Sequence, residues 1–118
     1  LRSSGLQRRD FITLEDVGRA VEHFLVVPAE ACGDGLFNLG GEKSLQIIQL
    51  ANLIAIRCGA VLGFIPPIIH PDPSPNEADV SLTYRIDKIK STGFVISGQI
   101  DAEIDATLQL CQSTFGAK

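Results

Sequence analysis

At 118 residues the chain is long enough for one domain with its own apolar core and too short for a second of ordinary size. A formal charge of −4 with scattered Lys and Arg excludes a nucleic-acid groove, which needs a continuous positive field. With 45% apolar and 20% charged residues, the sequence is that of a folded protein on the apolar side. Some of its surface is therefore expected to lie against a partner or against another part of a longer chain.

No apolar run reaches the length of a bilayer span, no basic-plus-apolar leader opens the chain, and Cys32, Cys58 and Cys111 form no C-x-x-C pair. The expectation is a cytoplasmic protein with reduced, structural thiols. The lack of any Met leads us to expect a piece of a longer parent that begins mid-strand.

Leu1 to Ser3 and Gln7 to Thr13 read as two extended segments joined at a turn containing Gly5. Thr13 is placed to cap a helix, with Asp16 near the positive end of its dipole. Leu14, Val17, Val21, Phe24 and Leu25 recur at helical spacing until Pro28. A loop over Glu30 to Gly35 precedes an expected strand, Leu36 to Leu39, closed by Gly40-Gly41. Ser44 reads as the cap of a mostly buried helix from Leu45 to about Cys58, with Gly59 as its stop.

Between Val61 and Pro75 five prolines exclude an ordered helix or central strand. Val80 to Ile86 alternates as an extended segment, and Asp87 to Ser91 fits one or two helical turns ended by Gly93. The last helix carries Ile100, Ile104, Leu108, Cys111 and Phe115 on one face, with Asp101, Glu103 and Asp105 toward its N-terminal half.

The elements Gly5-Leu6-Gln7-Arg8-Arg9-Asp10-Phe11-Ile12, Glu15-Asp16-Val17, Leu36-Phe37-Asn38-Leu39-Gly40-Gly41, and Asp87-Lys88-Ile89-Lys90 with Gly93-Phe94 occur in an order that matters more than any one of them. Over Gly5 to Phe115 the chain resembles the C-terminal part of the NAD-dependent epimerase/dehydratase family, the extended short-chain dehydrogenases/reductases that act on nucleotide sugars. The resemblance implies a small α/β substrate-binding domain spanning residues 1–118, with short strands around Phe11, Phe37 and Leu82, three main helices, and the Rossmann half absent. It implies that the parent oxidises a sugar hydroxyl transiently with NAD or NADP.

The same resemblance implies that Arg9 reaches the diphosphate of the nucleotide sugar, with Phe11 near the same ligand and Gln7 beside them. A guanidinium suits that task without any family argument, since its planar fork matches phosphate oxygens and it stays charged at any working pH. The competing reading pairs Arg9 with Asp10, Glu15 or Asp16 as a surface ion pair. Arg8 reads as a solvated strand residue, and the three acids as charges at a strand end and in a helix's first turn. In the loop before the Asp87 turn the family's second grip falls on Asn76 and Asp79, and no arginine stands between Arg57 and Arg85.

His70 with Asp72, Glu77 and Asp79 follows no metal-ligand spacing, and His23 reads as a residue at the edge of the core. Tyr84 and Lys88 spell Tyr-x-x-x-Lys by letter, outside the catalytic helix of the family, and no Gly-rich dinucleotide turn is present. The expectation is a domain with no catalytic residues and no cofactor of its own, which holds a nucleotide-diphosphate sugar against the parent's Rossmann half. The alternative is an interaction or oligomerisation module derived from that family. A homo-oligomer is an expected state, and neither nucleic acid nor membrane is an expected partner.

Overall fold

The computed structural model describes residues 1–77 and 84–116, so Asp79 and Leu82 lie outside the described residues. Strand β1 (Arg8–Asp10) pairs antiparallel with β2 (Ser44–Gln46), Arg9 standing opposite Leu45. Helices α1 (Leu14–Val26), α2 (Ile47–Leu62), α3 (Asp87–Ser91) and α4 (Ile100–Phe115) complete a small mixed α/β architecture, with a short 3₁₀ turn at Ala29–Cys32.

Local signals set several boundaries. The Thr13 side chain accepts the Asp16 N–H at 3.1 Å and caps α1 as expected. Gly5 turns the chain at φ +80°, and α3 ends ahead of Gly93 at φ +93°.

Three expectations are corrected. The segment Leu36 to Leu39 is not a strand: the partner that β1 takes is β2, and Phe37 and Leu39 pack against the core instead. Ser44 does not cap α2, because it lies in β2 opposite Asp10. Gln46 is the cap, in a reciprocal capping box with Gln49. Gly59 does not end α2, which runs on to Leu62 and stops at Gly63 in the left-handed region. Gly59 is instead a packing position, where a Cβ would approach the Ile65 side chain to 2.9 Å.

The core is small. Ala20, Ile86, Ile89 and Phe94 are buried together, flanked by Phe24, Phe37, Leu39 and Ile96. His23 closes its edge, its Nε2 2.8 Å from the Thr92 hydroxyl and its ring 5.6 Å from those of Phe24 and Phe94. The Thr92 hydroxyl donates to the Ile89 carbonyl, so it accepts from His23 Nε2–H.

A second seam joins α2 to α4, where Arg57 grips Asp105 through both carboxylate oxygens. This seam leaves much of α2 uncovered. Of that helix only Ala55 and Cys58 are buried and Ile56 is 62% exposed, so the expected burial of most of its circumference is not found.

The whole is a slab of 51 × 44 × 18 Å with a radius of gyration of 17.7 Å, against about 13.5 Å for a compact chain of this length. Its accessible surface is 8147 Å², roughly 1,900 Å² above the area expected of a compact monomer of 12.7 kDa. That excess is the size of one side of an extensive, obligate interface. On α1, Leu14, Val21 and Leu25 follow one stripe and face outward, Leu14 78% and Leu25 79% exposed, while Asp16 and Ala20 face the core.

Candidate functional site

The strand β1 presents alternate residues to alternate sides, so Gln7, Arg9 and Phe11 share one parity and Arg8 and Asp10 the other. The strand is held by its ladder and by flanking bonds: Ile47 N–H to the Gln7 carbonyl at 3.0 Å and Phe11 N–H to the Lys43 carbonyl at 3.1 Å. Arg9 is exposed, and among the described residues its guanidinium makes a single hydrogen bond, from Nη1 to the Arg8 carbonyl at 2.9 Å. Among the described residues no carboxylate pairs with it.

The reason lies with the neighbouring acid. Asp10 turns to the other side and accepts the backbone N–H of Gly41 at 2.7 Å and of Lys43 at 3.2 Å. These bonds lock the turn in which Glu42 adopts φ +53°, and Gly41 there lies so close to the Phe11 carbonyl that a Cβ has no room. Gly40-Gly41, read from sequence as a strand exit, is thus a turn seated on β1.

Asp16 is likewise engaged. Fully buried, it accepts the N–H groups of Ser97 at 2.9 Å and Gly98 at 3.1 Å and pairs with Arg19 Nη1 at 2.7 Å. Burial pushes its carboxyl up, but the donors at Ser97, Gly98 and Arg19 outweigh that cost and hold it at about 2. Sequence reasoning read Asp16 as a charge near a helix end and missed that it joins two helices. Glu103, read only as part of an acidic helix start, reaches from α4 to the N–H of Leu14 at 2.7 Å and lies 3.5 Å from that of Glu15.

Phe11 helps line an open apolar groove of about 250 Å³ at the foot of α1, walled chiefly by Leu50, Ile54, Ile100, Ile104 and Leu108. Arg9 does not line it, so the strand offers a charged outer residue and an apolar one next to each other but in different surroundings. Gln7 is exposed. Asn76 is exposed in the proline-rich loop, its N–H 3.5 Å from the Ser74 hydroxyl. Arg8 is half-buried rather than solvated.

Lys88 is engaged with the Asp34 carboxylate, donates to the Leu36 carbonyl at 2.5 Å and sits 4.7 Å from the centre of the Phe37 ring. Its ammonium holds Asp34 below the usual carboxylate range. Among the described residues no three His, Cys, Asp or Glu side chains gather as a metal site, and no helix is long and apolar enough to cross a membrane. Compared with family models, with curated proteins and with solved structures, the chain matches none.

Proposed function

We propose that this chain is the substrate-binding portion of a nucleotide-sugar epimerase or dehydratase, completed by a Rossmann half that carries NAD or NADP. The observation that carries the reading is the state of Arg9: an exposed guanidinium on a hydrogen-bonded strand, without a carboxylate partner among the described residues, beside an aspartate already engaged by Gly41 and Lys43. Such a group suits a diphosphate, to whose oxygens it can donate two parallel N–H bonds. The order of motifs from Arg9 to Phe94 supplies the substrate class, and Gln7 on the same side of the strand is placed to add a polar contact.

The start of α1 is a poor seat for the cofactor's pyrophosphate. A dinucleotide pyrophosphate is seated by a helix N-terminus whose N–H groups are free. Here the start of α1 already faces the Glu103 carboxylate, which would repel a second anion. In this reading hydride chemistry belongs to the other half. This chain's residues bind and orient: Arg9 holds the diphosphate, and Phe11 fixes the end of the strand through its bond to Lys43.

A second reading, a non-catalytic interaction module, is favoured by the excess surface of the slab and the outward stripe of Leu14, Val21 and Leu25. Thermal-shift titration with UDP, GDP, dTDP and CDP, repeated on Arg9→Ala, separates the two. A ligand that binds the folded state at a hundred times its Kd adds about 2.7 kcal/mol of stability. A rise in Tm with one diphosphate that is lost in Arg9→Ala is the expected result. No rise with any of the four favours the interaction module.

A further inference from the structure

We propose that Lys43 is the second cation of the diphosphate site and sets a preference for a nucleoside diphosphate over the monophosphate of the same base. The inference rests on the reading of Arg9 given above and adds to it the residue that meets the second phosphoryl group.

The pairing of the strands puts Lys43 there. Arg9 stands opposite Leu45 and Asp10 opposite Ser44, and one step beyond the ladder the Phe11 N–H donates to the Lys43 carbonyl at 3.1 Å. Residues opposite each other share a face, so Lys43, Phe11 and Arg9 rise from the same side of the ribbon. Arg9 and Lys43 are then diagonal neighbours, about 7–8 Å apart, a separation that two long side chains can close on one ligand. The backbone of Lys43 is fixed at both ends: its carbonyl is held by Phe11, and its N–H donates to Asp10 Oδ1 at 3.2 Å.

Charge decides what the pair takes. Each cation has an acid as its sequence neighbour, and each of those acids is engaged elsewhere. Asp10 is turned to the N–H groups of Gly41 and Lys43, and the Glu42 carboxylate accepts Lys90 Nζ, from α3, at 2.8 Å. Lys43 is exposed, and among the described residues its ammonium, like the Arg9 guanidinium, has no carboxylate partner. The planar guanidinium matches two oxygens of one phosphoryl group, and the ammonium, a compact point charge, meets the other. A monophosphate satisfies only one of the two.

The test is isothermal titration calorimetry of the full chain at fixed ionic strength, with UDP, GDP, dTDP and CDP each set against UMP, GMP, dTMP and CMP. The parent is expected to bind one diphosphate about tenfold more tightly than its monophosphate, the worth of one charge-assisted hydrogen bond. Lys43→Gln is expected to bring that ratio below about twofold, by weakening the diphosphate and not the monophosphate, and Lys43→Arg to restore it. Because Lys43 is exposed, Lys43→Gln keeps the parent's Tm. A diphosphate preference unchanged in Lys43→Gln, or a loss shared equally by both ligands, overturns the role of Lys43, and the Arg9 reading survives it if Arg9→Ala still ends diphosphate binding. No binding of any diphosphate by the parent overturns the sugar-nucleotide reading and this inference together.

Discussion

Asp16 and Glu103 tie the starts of α1 and α4 to each other. The carboxylate of Asp16, in the first turn of α1, takes the N–H groups of Ser97 and Gly98 just ahead of α4, and the carboxylate of Glu103, in the first turn of α4, reaches back to Leu14 at the start of α1. Two helices whose starts lie more than eighty residues apart are thereby fixed at one junction, with Arg19 bridging Asp16 to the Val95 carbonyl. The two members are unequal, because Asp16 has no exposure whereas the Glu103 bonds lie at the surface.

Replacing Asp16 by Ala leaves the N–H groups of Ser97 and Gly98 without their acceptor and breaks the ion pair with Arg19, which keeps its bond to the Val95 carbonyl. The expected loss is about 3 kcal/mol or more in urea unfolding. Glu103→Gln keeps an acceptor oxygen and is expected to lose less than about 1 kcal/mol. Equal losses from the two would show that the junction is held in some other way.

The same junction sets an acid limit. The folded Asp16 carboxyl is held at about 2, against 3.8 for an unperturbed aspartate, so its stabilisation is whole above about pH 4 and disappears as pH falls through 2. The shift corresponds to about 2 kcal/mol. Asp105, held below its usual range by Arg57, and Asp34, held there by Lys88, act in the same direction. Chemical denaturation of the parent between pH 5 and pH 2 should show this loss, and Asp16→Asn should flatten the curve. A parent and a variant with parallel pH profiles would contradict it.

What the sequence made legible was local. Thr13 and Asp16 stand three residues apart, and the chemistry of a cap needs nothing else; the same holds for Gly5 and for the turns of α3 closed by Gly93. What it hid was distant. Leu45 fits a helix start as well as a strand, and only Arg9 opposite it settles the choice. Gly59 looks like a helix stop until Ile65 is seen to need its missing side chain. At the candidate site, Arg9 could be picked out as a phosphate-type residue. Its freedom from Asp10 depends on the N–H groups of Gly41 and Lys43, more than thirty residues on.

Neighbouring residues of β1 should therefore respond in opposite ways. Arg9→Ala removes one exposed bond to the Arg8 carbonyl and is expected to change stability by no more than about 0.5 kcal/mol, while ending any diphosphate response. Asp10→Ala withdraws the acceptor of two backbone N–H groups and should cost about 2 kcal/mol. Denaturant midpoints of the two variants, read beside the diphosphate titration, check both halves. An Arg9→Ala protein as unstable as Asp10→Ala would mean that the arginine is structural.

The turn at Gly40-Gly41 offers the sharpest steric contrast. At Gly41 a Cβ would run into the Phe11 carbonyl, a backbone atom tied down by the strand, so relief requires the whole turn to lift from β1 and to release Asp10. At Gly40 the Cβ would come within 2.6 Å of Asp10 Oδ2 and of Tyr84 Cδ1, both side-chain atoms, and Tyr84 is 40% exposed and has room to swing away. Gly41→Ala is expected to cost about 3 kcal/mol or more, and Gly40→Ala about 1 to 2. Because lifting the turn frees the Asp10 carboxylate beside Arg9, Gly41→Ala should also weaken diphosphate binding in whatever fraction remains folded. A Gly41→Ala protein with the parent's Tm would show that the turn does not sit on β1 as described.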